Sequence, residues 1–445
     1  MVFSSLKFIF VFLPIFFACY YLTKPKGRNV VLFLGSLVFY IIGSVEHPVH
    51  LAVLLISVLM DFTSALIIEK NKRIKKPVMF INAGTHLAAF ITFRYTDLVM
   101  PVGISFYTFQ GISYVADVYR GKIKAERSLI SFGAYICMFE QLIAGPIVTF
   151  SHVQDRLHNR NVNIFEAVDG FKIFVFGLGL KVLLANPLGN LWGDISAIGY
   201  ESISTQLAWV GAAAFSFQIY FDFFGYSLMA IGLGKMLGFE IPKNFDMPYI
   251  SKTMTEFWRR WHITLGSWFR DYVYIPLGGN RVSFLTNIGN LFIVWTLTGM
   301  WHGASLNFII WGLSLFVIIV CEKYIYGRFM QRFSLIGHLY MIFLIPVTWS
   351  IFAVDDLGQL ITFFSRLFPF FGEASGVVME GDYIKYLSDC WPFLAVGAVL
   401  STRAPFKLLK KVNKLVMTIV LLIIFAASCY CMYIGLDDPF LYFRF

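Results

Sequence analysis

The 445 residues of this chain are 58% hydrophobic and 18% aromatic, and only 14% are charged, against roughly 25% in an ordinary soluble domain. A soluble fold of this length could not cover so much apolar surface, so the composition predicts an all-α polytopic membrane protein. Alternating segments of about ten residues, typical of a transmembrane β-barrel, are absent from the sequence. The net charge of +10 does not indicate nucleic-acid binding, because the basic residues lie in short clusters between apolar runs.

Those basic clusters predict the orientation of the chain in the membrane. The first three lie at 24–28, 70–76 and 120–127. The segment 46–50, between the first two, carries no Lys or Arg. Because Lys and Arg accumulate in cytoplasmic loops, this alternation places the amino terminus outside and the clusters in the cytoplasm beside the anionic lipids of the inner leaflet. The segments 240–284 and 403–414 are expected on the same side.

A series of apolar runs provides the candidate membrane spans. They cover 6–22, 30–44, 50–68, 78–95, 98–117, 129–148, 168–186, 206–233, 285–300, 306–322, 338–353, 390–401 and 415–434. Several are shorter than the roughly 20 residues that cross a 30 Å hydrocarbon core. Of these, 98–117, 129–148 and 390–401 are candidates for re-entrant or tilted segments. The sequence therefore predicts about eleven crossings within a single domain that covers residues 1–445.

The segment 240–284 interrupts this pattern, because it mixes Lys and Arg with many aromatic residues. Such a mixture cannot span lipid, and its aromatic side chains are poorly suited to water. It predicts a half-buried segment at the cytoplasmic interface, with Trp and Tyr at the level of the headgroups. Simple anchoring to the membrane surface explains the composition equally well.

Familiar catalytic and phosphate-binding motifs (GxxxxGK[ST], HExxH, CxxC, GxSxG) are absent from the sequence. The six cysteines show no metal-ligand spacing, so no metal site is predicted and the cysteines are interpreted as packing residues. A small set of polar residues lies inside the apolar runs: Gln110, Glu140, Gln141, Asp222, Asn287, Asn290, His302 and Asn307. Each of these by itself is more often a contact between helices than a functional site.

His302 is the strongest candidate, because it lies between two apolar runs and is flanked by Trp301 and Gly303. An ionisable residue at membrane depth is energetically costly and marks a functional site by default. Burial favours the neutral imidazole, which can take a proton from a hydroxyl near pH 7. Gly303 and Ala304 lack bulk, which predicts room for a substrate beside the ring. The alternative is a histidine that only packs in the core.

The sequence offers a single candidate base, with no group of metal ligands and no nucleophilic Ser or Cys motif. This combination is typical of an enzyme that transfers a group directly from an activated donor to a hydroxyl. The basic and aromatic segment 240–284 would then dock an anionic cytoplasmic donor, such as a nucleotide thioester.

Several stretches together form a recognisable signature. They are MTEFWRRWH at 254–262, WFRDY at 268–272, YIPLGGNR at 274–281 and WHG at 301–303, with supporting matches at 1–5, 103–110, 141–148, 220–223 and 440–445. The chain resembles the membrane-bound O-acyltransferase (MBOAT) family, and within it the bacterial branch that contains the alginate O-acetyltransferase membrane subunit. The resemblance covers most of the chain.

The resemblance implies a helical bundle around a central tunnel, with a cytoplasmic and an outer funnel that meet near His302, the signature histidine and proposed general base. His262 is the second signature histidine and is expected to line the cytoplasmic funnel; a purely structural imidazole is the alternative. The resemblance also implies acetyl-CoA as donor without a permanently bound cofactor, an extracytoplasmic SGNH-like acetyltransferase partner and a polysaccharide acceptor. The location would be the bacterial cytoplasmic membrane.

The remaining site residues fall into two groups. The guanidinium of Arg suits phosphate oxygens, so the candidate donor-binding residues are Arg259, Arg260 and Arg270, together with Trp261. Anchoring to the membrane surface is the alternative for these arginines. The candidate tunnel-lining residues are Trp301, Asp222, Gln110, Gln141 and Asn307.

Two departures from the family pattern concern the acceptor polymer, alginate in particular. This chain has FFGYSL at 223–228 where relatives commonly have FSGYSD, and Thr149 where they commonly have Arg. Two rival functions stay open. One is a D-alanyl transferase of the same fold that takes its donor from a carrier protein and modifies teichoic acid. The other is a transporter or flippase without covalent chemistry, which would show inverted repeats; none is visible in the sequence.

Overall fold

The structure is a computed structural model that describes residues 2–371, 378–409, 411–435 and 441. Most of the tail motif 440–445, and Lys410 in the basic segment 403–414, lie outside the described residues. Within the described ranges the chain is helical and contains no β-strand. The predicted all-α class is therefore confirmed.

The first part of the chain contains nine α-helices. They are α1 (Leu13–Leu22), α2 (Arg28–Gly43), α3 (Val49–Lys70), α4 (Lys75–Tyr95), α5 (Ile104–Tyr119), α6 (Leu129–Cys137), α7 (Phe139–Leu142), α8 (Phe150–His158) and α9 (Ile164–Gly179). A π-helical turn, Phe8–Phe12, runs directly into α1, and a second one, Leu180–Ala185, follows α9.

The rest of the described chain adds twelve α-helices. They are α10 (Asn186–Ile198), α11 (Thr205–Met236), α12 (Met254–Arg260), α13 (Ile263–Phe269), α14 (Phe284–His302), α15 (Leu306–Cys321), α16 (Gly327–Arg332), α17 (Ser334–Ala353), α18 (Leu357–Leu367), α19 (Asp382–Leu400), α20 (Ala404–Leu409) and α21 (Lys414–Tyr433). Further π-helical turns follow α13 at Arg270–Tyr274 and α15 at Glu322–Tyr326.

These helices form two compact units. The first comprises Met1–Gly177, Tyr226–Asn244 and Ser267–Tyr272, and the second comprises Leu178–Gly225, Phe245–Gly266 and Val273–Phe445. The chain passes from one unit to the other several times, so neither unit is a continuous segment. Whether residues 1–445 act as the single domain that the sequence indicates stays a prediction.

Six helical segments among the described residues are long and apolar enough to cross a membrane. They are Pro25–Gly43, Val49–Lys70, Thr205–Met236, Leu306–Arg332, Ser334–Ala353 and Lys414–Tyr433. The segment Phe8–Leu22 is apolar but shorter. A polytopic membrane protein is therefore confirmed, whereas the count of about eleven crossings stays a prediction.

Two of the ambiguous apolar runs are too short to span a bilayer as straight helices. Helix α5, which covers most of the run 98–117, has 16 residues and is buried along nearly its whole length. At 1.5 Å per residue it extends about 24 Å, less than the hydrocarbon core. The run 129–148 breaks at Met138 into α6 and α7. These are the features of helices packed inside protein rather than facing lipid.

The segment 240–284 forms short helical pieces rather than one long interfacial helix. It contains the 3₁₀ turn Pro248–Ile250, the seven-residue helices α12 and α13, and the π-helical turn Arg270–Tyr274. Helix α12 begins at a side-chain cap, because the hydroxyl of Thr253 accepts a hydrogen bond from the backbone N–H of Glu256 at 3.1 Å. The two short helices meet at His262, which is thereby fixed between them.

Candidate active site

His302 is the last residue of α14 and is followed by extended backbone at Gly303. Its side chain is buried, with 9% of the residue exposed. A Cβ atom at position 303 would collide with the ring of Phe308, so only glycine fits there. The space beside the Cα of Gly303 is therefore filled by Phe308, and that Ala304 leaves room for a substrate beside the ring stays a prediction.

Aromatic rings surround the His302 imidazole. Ring centroids lie at 4.8 Å for Trp301, 5.0 Å for Trp311 and 5.3 Å for Phe352, and all three rings stand nearly perpendicular to the imidazole. Such edge-to-face contacts are favourable for aromatic pairs. They fix the plane of the imidazole, so its nitrogens point in defined directions.

Close packing of α14 against α15 brings Trp311 to His302. A Cβ atom on Gly312 would lie 2.5 Å from the backbone oxygen of Trp295, so the two helices approach each other more closely than larger residues allow. The two helices can pack this closely because small residues lie on their facing surfaces.

Asn307 fixes the aromatic wall on the other side. Its side chain is fully buried, and its amide nitrogen lies 3.3 Å and 3.2 Å from the backbone oxygens of Ile351 and Phe352 and 3.4 Å from the carboxylate of Asp355. These bonds anchor the end of α17, which carries Phe352 against His302. Asn307, which lies in the first turn of α15, therefore holds the end of α17 and its Phe352 beside His302.

His262 lies between α12 and α13 with a φ of 42°, in the left-handed region that side chains other than glycine rarely adopt. Strained backbone of this kind concentrates at functional sites. The residue is 1% exposed, and its ring stands edge-on to Phe223 at 4.7 Å. Burial holds the pKa of His262 well below its usual range, and the nearby His302 lowers it further, so the ring is neutral at pH 7.

Trp301 connects the two histidines. Its ring centroid lies 4.8 Å from that of His302 and 6.2 Å from that of His262. The second unit therefore brings together both signature histidines, which are forty positions apart in the sequence, around one buried indole. Imidazole nitrogens can hold or release protons near pH 7, so two imidazoles beside one indole can serve a shared reacting group.

A buried carboxylate, Glu322, fixes the start of the helix that leads to His262. It accepts hydrogen bonds from the backbone N–H groups of Met254 and Thr255 at 2.5 Å and 2.7 Å, from the Thr255 hydroxyl at 2.7 Å and from the Tyr340 hydroxyl at 3.1 Å. A carboxylate suits the positive end of a helix. The sequence analysis missed Glu322, although an acidic residue at the end of the apolar run 306–322 was a usable signal.

A cluster of tryptophans packs behind the histidines and was also missed. Its members are Trp258, Trp261, Trp295, Trp311 and Trp349, with centroid separations of 4.9 to 6.5 Å between neighbours. Trp258 lies in α12, and Trp261 is the residue with extended backbone that follows this helix. Trp261, a predicted donor-binding residue, is 3% exposed and contacts Trp349 and Phe245.

The three candidate arginines differ in their surroundings. Arg260 is held by the carboxylates of Glu256 and Asp246 at 2.8 Å and 3.2 Å. Arg259, its neighbour, is exposed. Arg270 belongs to the first unit, is exposed and bonds the adjacent Asp271 at 2.7 Å. Arg260 and Arg270 would have to give up a carboxylate partner to bind a ligand. Within the described chain, Arg259 has no such partner to give up.

Asp222, a predicted tunnel-lining residue, forms an ion pair in the second unit. One carboxylate oxygen lies 2.6 Å from the ammonium of Lys181, and both side chains are 2% exposed. The other oxygen accepts a hydrogen bond from the backbone N–H of Leu441 at 2.8 Å. Lys181 was not predicted as a partner, although it is a charged residue within the apolar run 168–186.

Gln110 and Gln141 lie in the first unit. Both are fully buried, and among the described residues neither amide atom of Gln110 has a hydrogen-bond partner. The amide nitrogen of Gln141 donates to the backbone oxygen of Tyr135 at 2.8 Å. The described part of the chain contains no group of three or more His, Cys, Asp or Glu arranged to hold a metal ion.

These features define a class of protein: a helical membrane protein with two buried histidines and no metal cluster in its described residues. The chain belongs to the MBOAT, membrane-bound O-acyltransferase, family, whose model matches residues 123–354. It is a multi-pass protein of the bacterial inner membrane and an O-acyltransferase, as the sequence predicted.

Curated relatives extend over most of the chain. A probable alginate O-acetylase AlgI from Pseudomonas fluorescens is 40% identical over 83% of this chain and 76% of its own length. A peptidoglycan O-acetyltransferase from Helicobacter pylori is 31% identical over 80% and 78%. A teichoic acid D-alanyltransferase from Bacillus subtilis is 28% identical over 51% of this chain and 60% of its own length.

Proposed function

We propose that this protein is a membrane O-acetyltransferase that takes acetyl groups from cytoplasmic acetyl-CoA for the O-acetylation of a cell-surface polysaccharide. The observation that carries the proposal is the pair of buried, aromatic-walled imidazoles of His302 and His262. The two relatives named as O-acetylating enzymes, at 40% and 31% identity, support the acetyl group. The inner-membrane location gives the protein access to a cytoplasmic thioester.

In this proposal His302 acts as the general base. Its neutral nitrogen takes the proton of the acceptor hydroxyl while the hydroxyl oxygen bonds to the thioester carbonyl carbon. The carbon–sulfur bond then breaks, and the thiolate of CoA takes up the proton, so the reaction needs no oxidant or metal. General base catalysis of this kind contributes about 10² to 10⁴ in rate. His262 holds the donor on the cytoplasmic side.

The buried polar side chains are proposed to line the route of the acetyl group. An amide buried without a partner, as in Gln110, costs about 1–3 kcal/mol. Water or a polar substrate group beside it would recover that loss. The same role is proposed for Gln141 and for the site residues Trp301, Asn307 and Asp222, the last through its ion pair with Lys181. An extracytoplasmic SGNH-like partner would complete transfer onto the polymer.

The assay that tests this function uses purified protein with acetyl-CoA labelled in the acetyl group and a small soluble hydroxyl acceptor, which replaces the extracytoplasmic partner and the polymer. We expect release of free CoA that depends on the acceptor and the appearance of label in an ester. A D-alanyl carrier protein should not compete. Competition by that carrier would favour the teichoic acid reaction of the more distant relatives, and transport of label without release of CoA would contradict enzymatic function.

Charge removal at the candidate donor-binding arginines should affect donor binding more than chemistry. In the triple variant Arg259→Ala, Arg260→Ala, Arg270→Ala, the apparent KM for acetyl-CoA is expected to rise severalfold while kcat changes little, because the lost contacts stabilise substrate and transition state equally. High salt should reduce the difference, since exposed charges are screened.

The single variants sharpen the arginine test. Arg259→Ala should account for most of the rise in KM, because Arg260 is held by Glu256 and Asp246. Lys26→Ala, which removes an exposed charge from a different loop, is the matched control. An unchanged KM in the triple variant would assign the arginines to anchoring at the membrane surface.

A further inference from the structure

The indole N–H of Trp258, in the second unit, is a buried hydrogen-bond donor without an acceptor among the described residues. Trp side chains that are buried usually find a partner for this N–H. A donor that is taken out of water without a partner destabilises the fold. Such a group is expected where its acceptor arrives only with a substrate.

One other tryptophan of the cluster behind the histidines carries a buried nitrogen of this kind. The indole N–H of Trp349 meets no acceptor at hydrogen-bond distance in the described chain, but the hydroxyl of Tyr249 lies beside it. A small shift of either ring would pair these two groups. Trp258 has no such neighbouring acceptor, so its N–H is the donor of this cluster that is left for a ligand.

Helix α12 holds the Trp258 ring in a fixed orientation. Glu322 accepts hydrogen bonds from the backbone at the start of this short helix, and the Thr253 hydroxyl caps the same end. The Trp258 ring then packs against Trp295 at 5.1 Å and against Trp311 at 5.6 Å, with interplanar angles of 70° and 72°. The N–H therefore points in a set direction before any substrate binds, which is what electrostatic catalysis requires of a donor.

Trp311 connects this donor to the proposed base. Its ring centroid lies 5.6 Å from that of Trp258 and 5.0 Å from that of His302. When a hydroxyl attacks a thioester, the nitrogen of the base and the donor to the carbonyl oxygen are about 8 Å apart, because two hydrogen bonds and the forming bond separate them. A base and a donor that both contact one indole ring are compatible with that span.

We propose that the indole N–H of Trp258 is the oxyanion donor of the acyl transfer, an inference that rests on the acetyltransferase function proposed above. The acceptor oxygen bonds to the thioester carbonyl carbon, and an electron pair of the carbonyl bond moves onto its oxygen. That oxyanion accepts a hydrogen bond from the indole N–H, which keeps its proton throughout.

The electron pair returns when the carbon–sulfur bond breaks. His302 holds the proton of the acceptor until the thiolate of CoA takes it up, so protons and charges balance. Because the N–H binds the negative oxyanion more strongly than the neutral carbonyl, it lowers the barrier rather than the KM.

The test compares Trp258→Phe with the wild-type protein, each purified at full length, with acetyl-CoA and a small soluble hydroxyl acceptor. We expect kcat to fall by about 10² to 10³, the usual loss for one oxyanion donor. The KM for acetyl-CoA should not change, because the lost bond forms only in the transition state. The pH dependence of the remaining activity should match the wild type, since His302 is intact.

Two controls separate the N–H from the shape of the ring. Benzothienylalanine at position 258, in which sulfur replaces the N–H of the same bicyclic ring, should lose as much activity as Trp258→Phe. Trp192→Phe, at a buried position that packs on Phe215 and Phe363 outside the cluster, should keep the wild-type kcat. In thermal unfolding, Trp258→Phe should lose no more stability than Trp192→Phe, because it also removes an unpaired donor.

Wild-type kcat in Trp258→Phe would overturn the proposal. Activity retained with benzothienylalanine but lost in Trp258→Phe would overturn it too, and would assign the ring to packing. If Trp258→Phe does not fold, the benzothienylalanine variant decides alone. A wild-type protein that releases no CoA would instead reject the proposed function itself, and the oxyanion donor with it.

Discussion

His302→Gln should insert and fold normally, yet the rate of acetyl transfer from acetyl-CoA to a soluble hydroxyl acceptor should fall by about 10² to 10⁴, the usual contribution of a general base. Glutamine keeps hydrogen bonding and similar size but cannot take a proton near pH 7. The ring contacts of His302 with Trp301, Trp311 and Phe352 are replaceable packing, so little loss of stability is expected. The measurement is the rate of ester formation with purified protein, together with its thermal stability.

Two further variants, His302→Ala and His262→Ala, distinguish proton transfer by His302 from simple orientation or packing. His302→Ala should be as inactive as His302→Gln if the imidazole transfers a proton. Activity largely retained in the glutamine variant alone would show that His302 only orients a substrate. Full activity in both variants would leave His302 as a packing residue. His262→Ala should be a milder lesion, with a larger effect on the use of acetyl-CoA than on the chemical step.

Lys181→Met should destabilise the protein by about 3–5 kcal/mol, because it leaves the carboxylate of Asp222 buried without its cation. Both side chains are 2% exposed, and Asp222 lies within the candidate membrane span Thr205–Met236. Thermal unfolding in detergent should show the loss, and activity should fall with it, because Asp222 precedes Phe223, the ring that packs on His262.

The double variant Lys181→Met, Asp222→Asn should recover most of the stability lost in Lys181→Met. Asparagine carries no charge and keeps an oxygen that can accept the hydrogen bond from Leu441. Lys172→Met, which removes one member of an exposed ion pair with Asp169, is the control and should cost about 0–1 kcal/mol. If Lys181→Met is no more harmful than Lys172→Met, the Lys181–Asp222 pair does not stabilise the fold.

Local properties of the sequence were sufficient to predict the class of the protein and to select its two candidate histidines. Hydropathy is a sum over neighbouring residues, so a chain with 58% hydrophobic and 14% charged residues could be assigned to the membrane without a structure. The histidine between two apolar runs could be selected for the same reason, because the cost of burying an ionisable group depends on its surroundings. The short signature around 254–281 was likewise readable along the chain.

Contacts between distant residues could not be read in this way. Glu322 caps a helix that begins 68 positions earlier, and no local pattern pairs that carboxylate with Met254. Gly303 illustrates the same limit, because its missing side chain could indicate space for a substrate or for another residue. Only the packed structure shows that Phe308 takes that space.

The sequence by itself determined that this chain is a helical membrane O-acyltransferase and that His302 and His262 are its candidate catalytic groups. The tertiary structure decided that both imidazoles contact Trp301, that Asp222 is paired with Lys181 and that Arg260 is held by two carboxylates. The physical reason is that burial energy follows the local density of apolar residues, whereas ion pairs and ring contacts require two groups within a few ångströms. Helix packing alone creates that proximity, and it depends on the shapes of facing surfaces rather than on position along the chain.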